Sequence, residues 1–183
     1  DIRTLFPDAL SLPKRYRVIA NIPYYLTSRL IRLLLVSRQP PEQVHLLVQK
    51  EVAERITARP PRMNLLAIAV ALYATPRIHF PIYRREFSPP PAVDSALVAI
   101  TDISRARLER AHVSDEDFFA IVRAAFRGKR KTIANSIAAH MGSKANAMEL
   151  LRHVGVDPTR RPETLSVDEW ITLAAESRQS VVH

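Results

Sequence analysis

The first 127 residues of this chain contain no glycine. The three glycines of the sequence are Gly128, Gly142 and Gly155, and all of them lie in the last third. An α/β domain that binds a nucleotide usually carries a glycine-rich turn after its first strand, because glycine lets the backbone approach the ligand closely. If this chain contains a nucleotide-type site, that site does not use a glycine-rich loop within residues 1–127.

Strand-like and helix-like segments alternate along the first hundred residues. Strands are predicted at 16–21, 44–51, 75–87 and 95–103, and helices at 27–38, 50–59 and 65–74. The first strand reads as buried, the third as an edge strand with prolines, and Thr27 or Ser28 as the N-cap of the first helix. Because no helix fits between the last two strands, they should pair antiparallel. The pattern therefore predicts an α/β sheet that ends in an antiparallel hairpin.

A polar, charged stretch after this section indicates a domain boundary, with one domain at 1–103 and a second at 104–183. The second domain should be all-α, with helices at 115–141, 146–155 and 166–178. Ser114 and Asp117 have the spacing of a capping box, and Ser166 should cap the last helix.

The formal net charge of +9 and the sequence pI of about 10.5 favour a polyanionic partner, with nucleic acid as the first candidate and an inert basic surface as the alternative. The chain has no cysteine, which excludes disulfides, thiolate metal sites and a cysteine nucleophile. Its histidines show no metal-ligand spacing, so we expect no metal. No apolar run approaches the roughly 20 residues that a membrane helix needs, and we expect no membrane partner.

The segment Asn21-Ile22-Pro23-Tyr24 follows the first predicted strand, at the edge where open α/β sheets bind ligands. Pro23 cannot extend the strand ladder, so its carbonyl is free of sheet pairing. The Asn21 amide oxygen and this carbonyl could hold a planar amine, and Tyr24 could stack on its ring. The alternative is an asparagine-capped turn in which Tyr24 covers the edge of the core.

Five segments in order along the chain resemble one family, the ribosomal RNA adenine N6,N6-dimethyltransferases of the KsgA type, which act on small-subunit RNA. Its pattern of Asn, Ile or Leu, Pro and an aromatic residue matches Asn21–Tyr24. The other matching segments are LLVQKEVAERITARP at 46–60, FSPPPAVDSALV at 87–98, AAFRGKRKTIANS at 124–136 and GVDPTRRPETLSVDEW at 155–170.

The resemblance implies a Rossmann-like, S-adenosylmethionine (SAM)-dependent methyltransferase domain followed by a small helical domain that binds RNA. It implies two methyl transfers from SAM to adenine N6, with no metal. Asn21 and Pro23 would hold the amine, and Tyr24 and Phe87 would stack on the two faces of the base. Gln49 could line the pocket or bond at the sheet end, and Asp94 should tie the proline-rich loop through backbone N–H groups.

The resemblance also implies a cytoplasmic protein that takes part in ribosome biogenesis, acts as a monomer and has the small-subunit RNA as its partner. The exposed cations of the fourth segment would contact RNA phosphates, although a solvated helix face is the alternative. These cations are Arg123, Arg127, Lys129, Arg130 and Lys131, of which Lys129 replaces an arginine of the family pattern.

The chain departs from the family at its N-terminal side. Family members begin with a glycine-rich SAM loop and an acidic residue for the ribose, and neither is found here. Asp1 would fall on a family residue that contacts the cofactor adenine, beside Asn21. We therefore expect the N-terminal SAM-binding portion to be missing and this chain alone to be inactive.

Two alternatives stay open. One is a non-catalytic RNA-binding or ribosome-assembly factor that keeps the fold without SAM. The other is a large-subunit adenine methyltransferase of the antibiotic-resistance type, which shares the segment around Asn21.

Overall fold

The computed structural model describes residues 13–128 and 130–180, which form two compact units. The first unit contains the residues up to Ala58 together with Ala69–Ser104, and the second contains Arg59–Ile68 together with the residues from Arg105 onward. The sequence placed residues 59–68 in the first section. They cluster with the second unit, in which the buried Met63 donates its backbone N–H to the carbonyl of Glu163 at 2.9 Å.

A mixed four-stranded sheet forms the centre of the first unit, within the residues that the structure describes. Its strands are β1 (Arg17–Asn21), β2 (Gln43–Gln49), β3 (Thr75–Ile82) and β4 (Ser95–Thr101), in the order β1-β2-β4-β3. β1 and β2 are parallel, whereas β4 is antiparallel to both of its neighbours. The predicted antiparallel pairing of the last two strands is confirmed, and β4 inserts between β2 and β3.

The prolines of β3 agree with its place at one edge of the sheet. Pro76 and Pro81 lie within the strand, whose one partner among the described strands is β4. A proline has no N–H to give to a ladder, and an edge strand tolerates it because one side of the backbone has no partner strand. The predicted edge strand is therefore confirmed.

The first strand forms as predicted, but its predicted burial is wrong. Its residues alternate between exposed and half-buried, and the Ile19 side chain is 81% exposed. β1 lies at the other edge of the described sheet, where β2 is its neighbour, and no described residue covers Ile19. A hydrophobic run reads as a buried strand in the sequence, yet burial depends on which elements cover it.

Two helices accompany the sheet, α1 (Thr27–Val36) and α2 (Lys50–Ile56), while a third, α3 (Leu65–Tyr73), contributes only its residues from Ala69 onward to this unit. The expected capping of α1 by Thr27 or Ser28 is wrong, because a 3₁₀ turn at Tyr24–Leu26 runs directly into the helix. Thr27 is already the first helical residue, and it is buried. α3 instead has a side-chain cap, since the Asn64 Oδ1 atom accepts N–H bonds from Leu66 and Ala67 at 3.0 Å.

The second unit is helical, with α4 (Ala106–Ala111), α5 (Asp115–Phe126), α6 (Ile133–Ile137), α7 (Lys144–His153) and α8 (Val167–Ser180). The prediction of one continuous helix over 115–141 is wrong. Gly128 is a poor helix former, and Thr132 begins a new helix by accepting the Asn135 N–H at 3.4 Å. The Ile133 N–H bonds to the Arg160 carbonyl at 2.7 Å, which holds the start of α6 in the unit.

The two predicted helix caps are confirmed. The Ser114 Oγ accepts the Asp117 N–H at 3.1 Å, and its hydroxyl donates to the Asp117 carboxylate at 2.6 Å. At the start of α8 the capping box is reciprocal, because Ser166 accepts the Glu169 N–H at 3.2 Å while Glu169 accepts the Ser166 N–H at 2.7 Å.

Arg160 extends the α8 cap into a network. Its guanidinium forms an ion pair with Glu169 and donates to the Thr164 carbonyl at 2.7 Å. Burial raises the pKa of Glu169, but hydrogen bonds from Arg160 and Ser166 outweigh this effect and hold the pKa below its ordinary value. The network connects the loop before α8 to the helix itself, over a core that contains the fully buried Trp170 and Phe118.

None of the helices that the structure describes is long and apolar enough to span a bilayer. Within the same residues, no group of three or more histidine, aspartate and glutamate side chains could hold a metal ion.

Replacing Glu169 by glutamine should reduce the free energy of unfolding by about 1–2 kcal/mol at pH 7, since the ionised carboxylate accepts charge-assisted bonds. The pKa of Glu169 is lower in the folded state than in the unfolded state, where it is about 4.3. Its negative charge therefore stabilises the folded protein above the unfolded-state pKa, and this stabilisation is lost as the pH falls through the folded-state pKa. Urea unfolding at pH 7 and at about pH 3.5 should therefore show a difference from wild type that shrinks in acid.

Glu149→Gln is the matched control, because Glu149 is exposed on α7. It should leave stability nearly unchanged. A Glu169→Gln deficit that persists undiminished in acid would contradict the assigned role of the charge.

Candidate functional site

The strand ends gather at one edge of the sheet. Asn21, the last residue of β1, lies opposite Leu47 of β2. Two residues further along β2, Gln49 lies opposite Ser95 at the start of β4, and Ser95 lies opposite Ile82 at the end of β3. The chain segments that follow Asn21, Gln49 and Ile82 therefore leave the sheet at this edge, which we call the carboxyl edge.

The segment after Asn21 forms a short, tied turn. The Asn21 and Pro23 side chains are exposed, and Ile22 between them is buried. The Pro23 carbonyl accepts the Leu26 N–H at 2.9 Å. This carbonyl is free of sheet pairing, as expected, but the turn uses one of its two acceptor positions. A ligand amine could therefore share this oxygen with the turn.

Three predicted groups fall wholly or partly outside the described residues. Asp1 and Lys129 lie outside them, and of Tyr24 only the backbone is described, at the start of the 3₁₀ turn. The next residue, Tyr25, is described, and its ring is 82% exposed. The edge thus offers an exposed aromatic side chain beside Pro23.

Phe87 follows a second 3₁₀ turn, at Arg84–Glu86, and is half-buried. The Asp94 Oδ1 atom accepts the Arg84 N–H at 2.9 Å, and the Asp94 carbonyl accepts the Lys50 N–H at 3.0 Å. Asp94 thereby connects the loop that carries Phe87 to the end of β2, and its expected structural role is confirmed. No hydrogen bond among the described residues joins Phe87 to Asn21.

A cavity of about 430 Å³ opens at the carboxyl edge. Charges of both signs line it: the cations Lys50 and Arg84, and the carboxylates of Glu51, Glu54 and Asp94. Such a balance does not suit a phosphate cradle, which would need an excess of cations. Gln49 lines this cavity, whose lining does not include Asn21, Pro23 or Phe87, so the two alternatives for Gln49 stay predictions.

In the second unit a groove of about 670 Å³ lies between α5 and α6, and we call it the α5–α6 groove. Arg123, Arg127 and Lys131 line it, and all three are exposed. Arg130 is also exposed, but it is not among the residues that line the groove. The predicted basic residues are thus divided between a concave surface and its surroundings.

Gly128 lies beside Lys131 in the lining of the groove. A Cβ atom at position 128 would lie 3.0 Å from the Lys131 Cδ and 3.2 Å from its Cγ. The aliphatic part of Lys131 therefore lies against Gly128. Lys131 is an exposed and flexible side chain that could move aside for a small side chain at position 128, and Gly128 does not have the nucleotide-loop role discussed for the first section.

Sequence reasoning missed three polar groups of the groove: Asn135, Ser136 and His140. Burial lowers the pKa of His140 and outweighs the opposing effect of the Asp117 carboxylate. One pattern in the sequence could have indicated the groove. Small residues recur at intervals of four, and a helix with polar residues follows them; the small residues are Ala120, Ala124 and Gly128.

Comparison with known families gives one family match over most of the chain. The profile of the family described as "Ribosomal RNA adenine dimethylase" matches residues 4–179.

Curated relatives agree with this match. The chain is 42% identical over 176 residues to "Ribosomal RNA small subunit methyltransferase A" of Dehalococcoides mccartyi, covering 96% of this chain and 60% of the relative. It is 42% identical over 166 residues to the protein of that name in Pelotomaculum thermopropionicum, with 88% of this chain and 55% of the relative covered. The chain therefore spans less than two thirds of the length of these relatives.

Solved structures with similar folds include a dimethyladenosine transferase from Plasmodium falciparum, with a TM-score of 0.78, 25% identity, and coverage of 96% of this chain and 71% of that one. The 23S rRNA methyltransferase ErmE has a TM-score of 0.65 and 23% identity, with 91% of this chain and 66% of that one covered. The second likeness concerns the fold alone. Both support an α/β methyltransferase-like fold.

Asp94→Ala should loosen the loop that carries Phe87, because it removes the acceptor of the Arg84 N–H. Because this hydrogen bond is exposed to solvent, we assign it about 1 kcal/mol, which corresponds to an increase of about fivefold in the exchange rate of the Arg84 amide when the bond is lost. Hydrogen exchange followed by NMR measures this rate directly. Glu51→Gln, an exposed change in the same cavity, should leave it unchanged. If the Arg84 amide exchanges at the same rate in Asp94→Ala and in the wild-type protein, Asp94 does not hold the loop that carries Phe87.

Proposed function

Because the chain belongs to the ribosomal RNA adenine dimethylase family, we propose that it supplies the amine-holding side of an enzyme that dimethylates adenine N6 in small-subunit ribosomal RNA. The observation that carries the proposal is the position of Asn21 and Pro23. Both side chains are exposed, and they lie where the parallel strand β1 ends at the carboxyl edge of the sheet. The names of the curated relatives support the choice of the small subunit.

The reaction needs little acid–base chemistry from the protein. The N6 lone pair of adenine is delocalised into the ring, so the amine is a weak nucleophile. N–H bonds from N6 to the Asn21 amide oxygen and to the remaining acceptor position of the Pro23 carbonyl favour a pyramidal nitrogen and fix its direction. This is catalysis by positioning and electrostatics. With a bound methyl donor, the nitrogen held by Asn21 and Pro23 would gain the methyl carbon as the carbon–sulfur bond broke, and an N6 proton would pass to water.

S-Adenosylmethionine supplies the methyl group when it is bound. The described residues fit only part of such a site, because residues 1–127 have no glycine for a close-approach loop. The proposed contacts of Asp1 and Asn21 with this donor rest on the family resemblance. We therefore expect the 183-residue chain alone to bind the donor too weakly for catalysis.

The target base must leave its stack to reach Asn21. Tyr24 and Phe87 are proposed to hold its two faces, at about 1–3 kcal/mol per stacked base. The Asp94 tie to Arg84 keeps the Phe87 loop near the end of β2, which lowers the entropy lost when the base is bound.

Binding of the RNA itself is assigned to the cations of the second unit. Arg123, Arg127 and Lys131 line the α5–α6 groove, and Arg130 is exposed nearby in sequence. Lys129 belongs to the same proposed set. We propose that the protein acts in the cytoplasm, as a monomer, on the small ribosomal subunit.

A binding role without catalysis is the second candidate function. The observation that favours it is the absence of glycine from residues 1–127 together with a cationic groove in the second unit. The two functions share RNA binding and differ in methyl transfer, so a methylation assay separates them.

Asn21→Ala should reduce methyl transfer about a hundredfold or more, because it removes one of two proposed acceptors for the amine. The assay uses a fusion in which this chain follows the SAM-loop segment of the Dehalococcoides relative. Dimethyladenosine formed in small-subunit RNA is measured by mass spectrometry. The affinity of the fusion for RNA should change less than about twofold, since Asn21 carries no charge.

Ser28→Ala is the control, as an exposed change in the same segment. If the wild-type fusion is inactive on small-subunit RNA, the enzymatic proposal fails. If Asn21→Ala retains full activity, the role of Asn21 is wrong.

Arg123→Gln combined with Lys131→Gln should weaken RNA binding and reduce the slope of log affinity against log salt by about 2, since each phosphate contact contributes about 1. Filter binding of a small-subunit RNA fragment between about 50 and 200 mM salt gives this slope. Arg32→Gln combined with Lys144→Gln changes the net charge equally at exposed positions outside the groove. Equal slopes for the two double variants would refute the assignment of the groove.

A further inference from the structure

Phosphate contact alone does not account for the shape and chemistry of the α5–α6 groove. We propose that the groove receives one unstacked nucleotide of the bound RNA, with its phosphate at the cationic rim and its base on a floor of small residues. This inference rests on the proposed RNA-binding function of the second unit, and it adds the form of RNA that the unit selects.

The volume of the groove fits a nucleotide. Sites for small organic ligands in proteins are commonly about 300–1,000 Å³. The α5–α6 groove, at about 670 Å³, lies within this range. Lysine and arginine side chains on a convex helix face would be sufficient for contacts with backbone phosphates. A concavity of this size beside them provides room for a base and its ribose.

The floor of the groove presents little more than methyl groups and backbone. Ala120, Ala124 and Gly128 follow one another at intervals of four, so they lie along one face of α5 and its end. Ala139 lines the groove from the segment that follows α6. No long side chain from these positions fills the space, and a flat aromatic ring can lie against such a surface with apolar contact.

Ser136 provides the second observation. Its Oγ atom is buried and has no hydrogen-bond partner among the described residues, although Ser136 lines the groove. A buried hydroxyl without a partner is costly, and folded proteins rarely retain one without a reason. The Oγ atom is covered in the structure, so a base that displaces the atoms covering it would offer this hydroxyl donor and acceptor groups.

His140 suits the base better than the phosphate. Burial of its imidazole disfavours the charged form, so the ring is neutral at pH 7. A neutral imidazole offers one donor and one acceptor, which is the pattern that a base edge requires. Together with the Asn135 amide, Ser136 and His140 give the groove uncharged polar groups next to its apolar floor.

The cations lie where the phosphate of the same nucleotide would be. Arg123 and Arg127 carry forked donors that match phosphate oxygens, and Lys131 adds a point charge. The Lys131 stem lies against Gly128, and the Lys131 side chain is exposed. Proteins that read folded RNA generally select unstacked nucleotides in bulges and loops, and the groove provides each part of such a site.

The test compares two RNA hairpins with the same stem, one fully paired and one with a single bulged 2-aminopurine. Anisotropy of an end-attached dye measures the affinity of the 183-residue chain for each at one salt concentration. We expect the wild-type chain to prefer the bulged hairpin about tenfold, from the apolar and hydrogen-bond contacts of one base. The 2-aminopurine fluorescence should change when it enters the groove.

Two variants separate the nucleotide pocket from general RNA binding. Ala139→Leu, an exposed change that fills the groove, should abolish the preference and leave the affinity for the paired hairpin within about twofold. Ser136→Ala should reduce the preference while raising the temperature of unfolding, because it removes the buried hydroxyl that has no partner. Ala145→Leu, at an exposed position of α7 outside the groove, is the control and should preserve the preference.

Equal wild-type affinity for the two hairpins would overturn the nucleotide pocket and leave the RNA-binding proposal intact. A preference that survives in both Ala139→Leu and Ser136→Ala would also overturn it. Failure to bind either hairpin would overturn the inference together with the RNA-binding part of the proposed function.

Discussion

The antiparallel pairing of β4 with β2 is the interaction on which the first unit depends. Val44, Leu46 and Val48 of β2 are buried, and in the paired register they lie opposite Ile100, Val98 and Ala96 of β4, which are buried as well. A slip of one residue would turn these side chains to the opposite face, so the register is strongly specified. The same register places Gln49 beside Ser95, and it thereby brings the Asp94 carboxylate to the loop before Phe87. The geometry of the carboxyl edge follows from hydrophobic burial within the sheet.

The second unit depends on a break in a helix. α5 ends at Phe126, and α6 begins only at Ile133, whose N–H bonds to the Arg160 carbonyl. Arg160 is itself held by its ion pair with Glu169 at the start of α8. A continuous helix over these residues would have no concave surface between its two halves. The break therefore converts a basic stretch of sequence into a groove, with cations at its rim and small residues along its floor.

Much of the first unit could be predicted from the sequence, because strand segments, edge prolines and the short Pro-rich connection before Asp94 are local signals. The insertion of β4 between β2 and β3 is a long-range pairing, and no local pattern specifies it. The exposure of Ile19 likewise depends on which elements cover β1. In the second unit the caps at Ser114 and Ser166 were readable from spacing, whereas the break after α5 required the tertiary bond from Ile133. The sequence also indicated Asn21, Pro23 and the basic residues. It predicted a Pro23 carbonyl that is free of sheet pairing, but it gave no sign of the bond from the Leu26 N–H to that carbonyl.

The central claim is that an adenine base of the RNA reaches the carboxyl edge at Asn21. Photo-crosslinking tests it most directly, with a small-subunit RNA hairpin that carries one 8-azidoadenosine in its loop. After irradiation and proteolysis, mass spectrometry identifies the peptides joined to the RNA. We expect crosslinks in the peptides that contain residues 21–26 and Phe87, and we expect excess unmodified hairpin to suppress them. Crosslinks that map only to the second unit, with none at residues 21–26 or 87, would contradict the account.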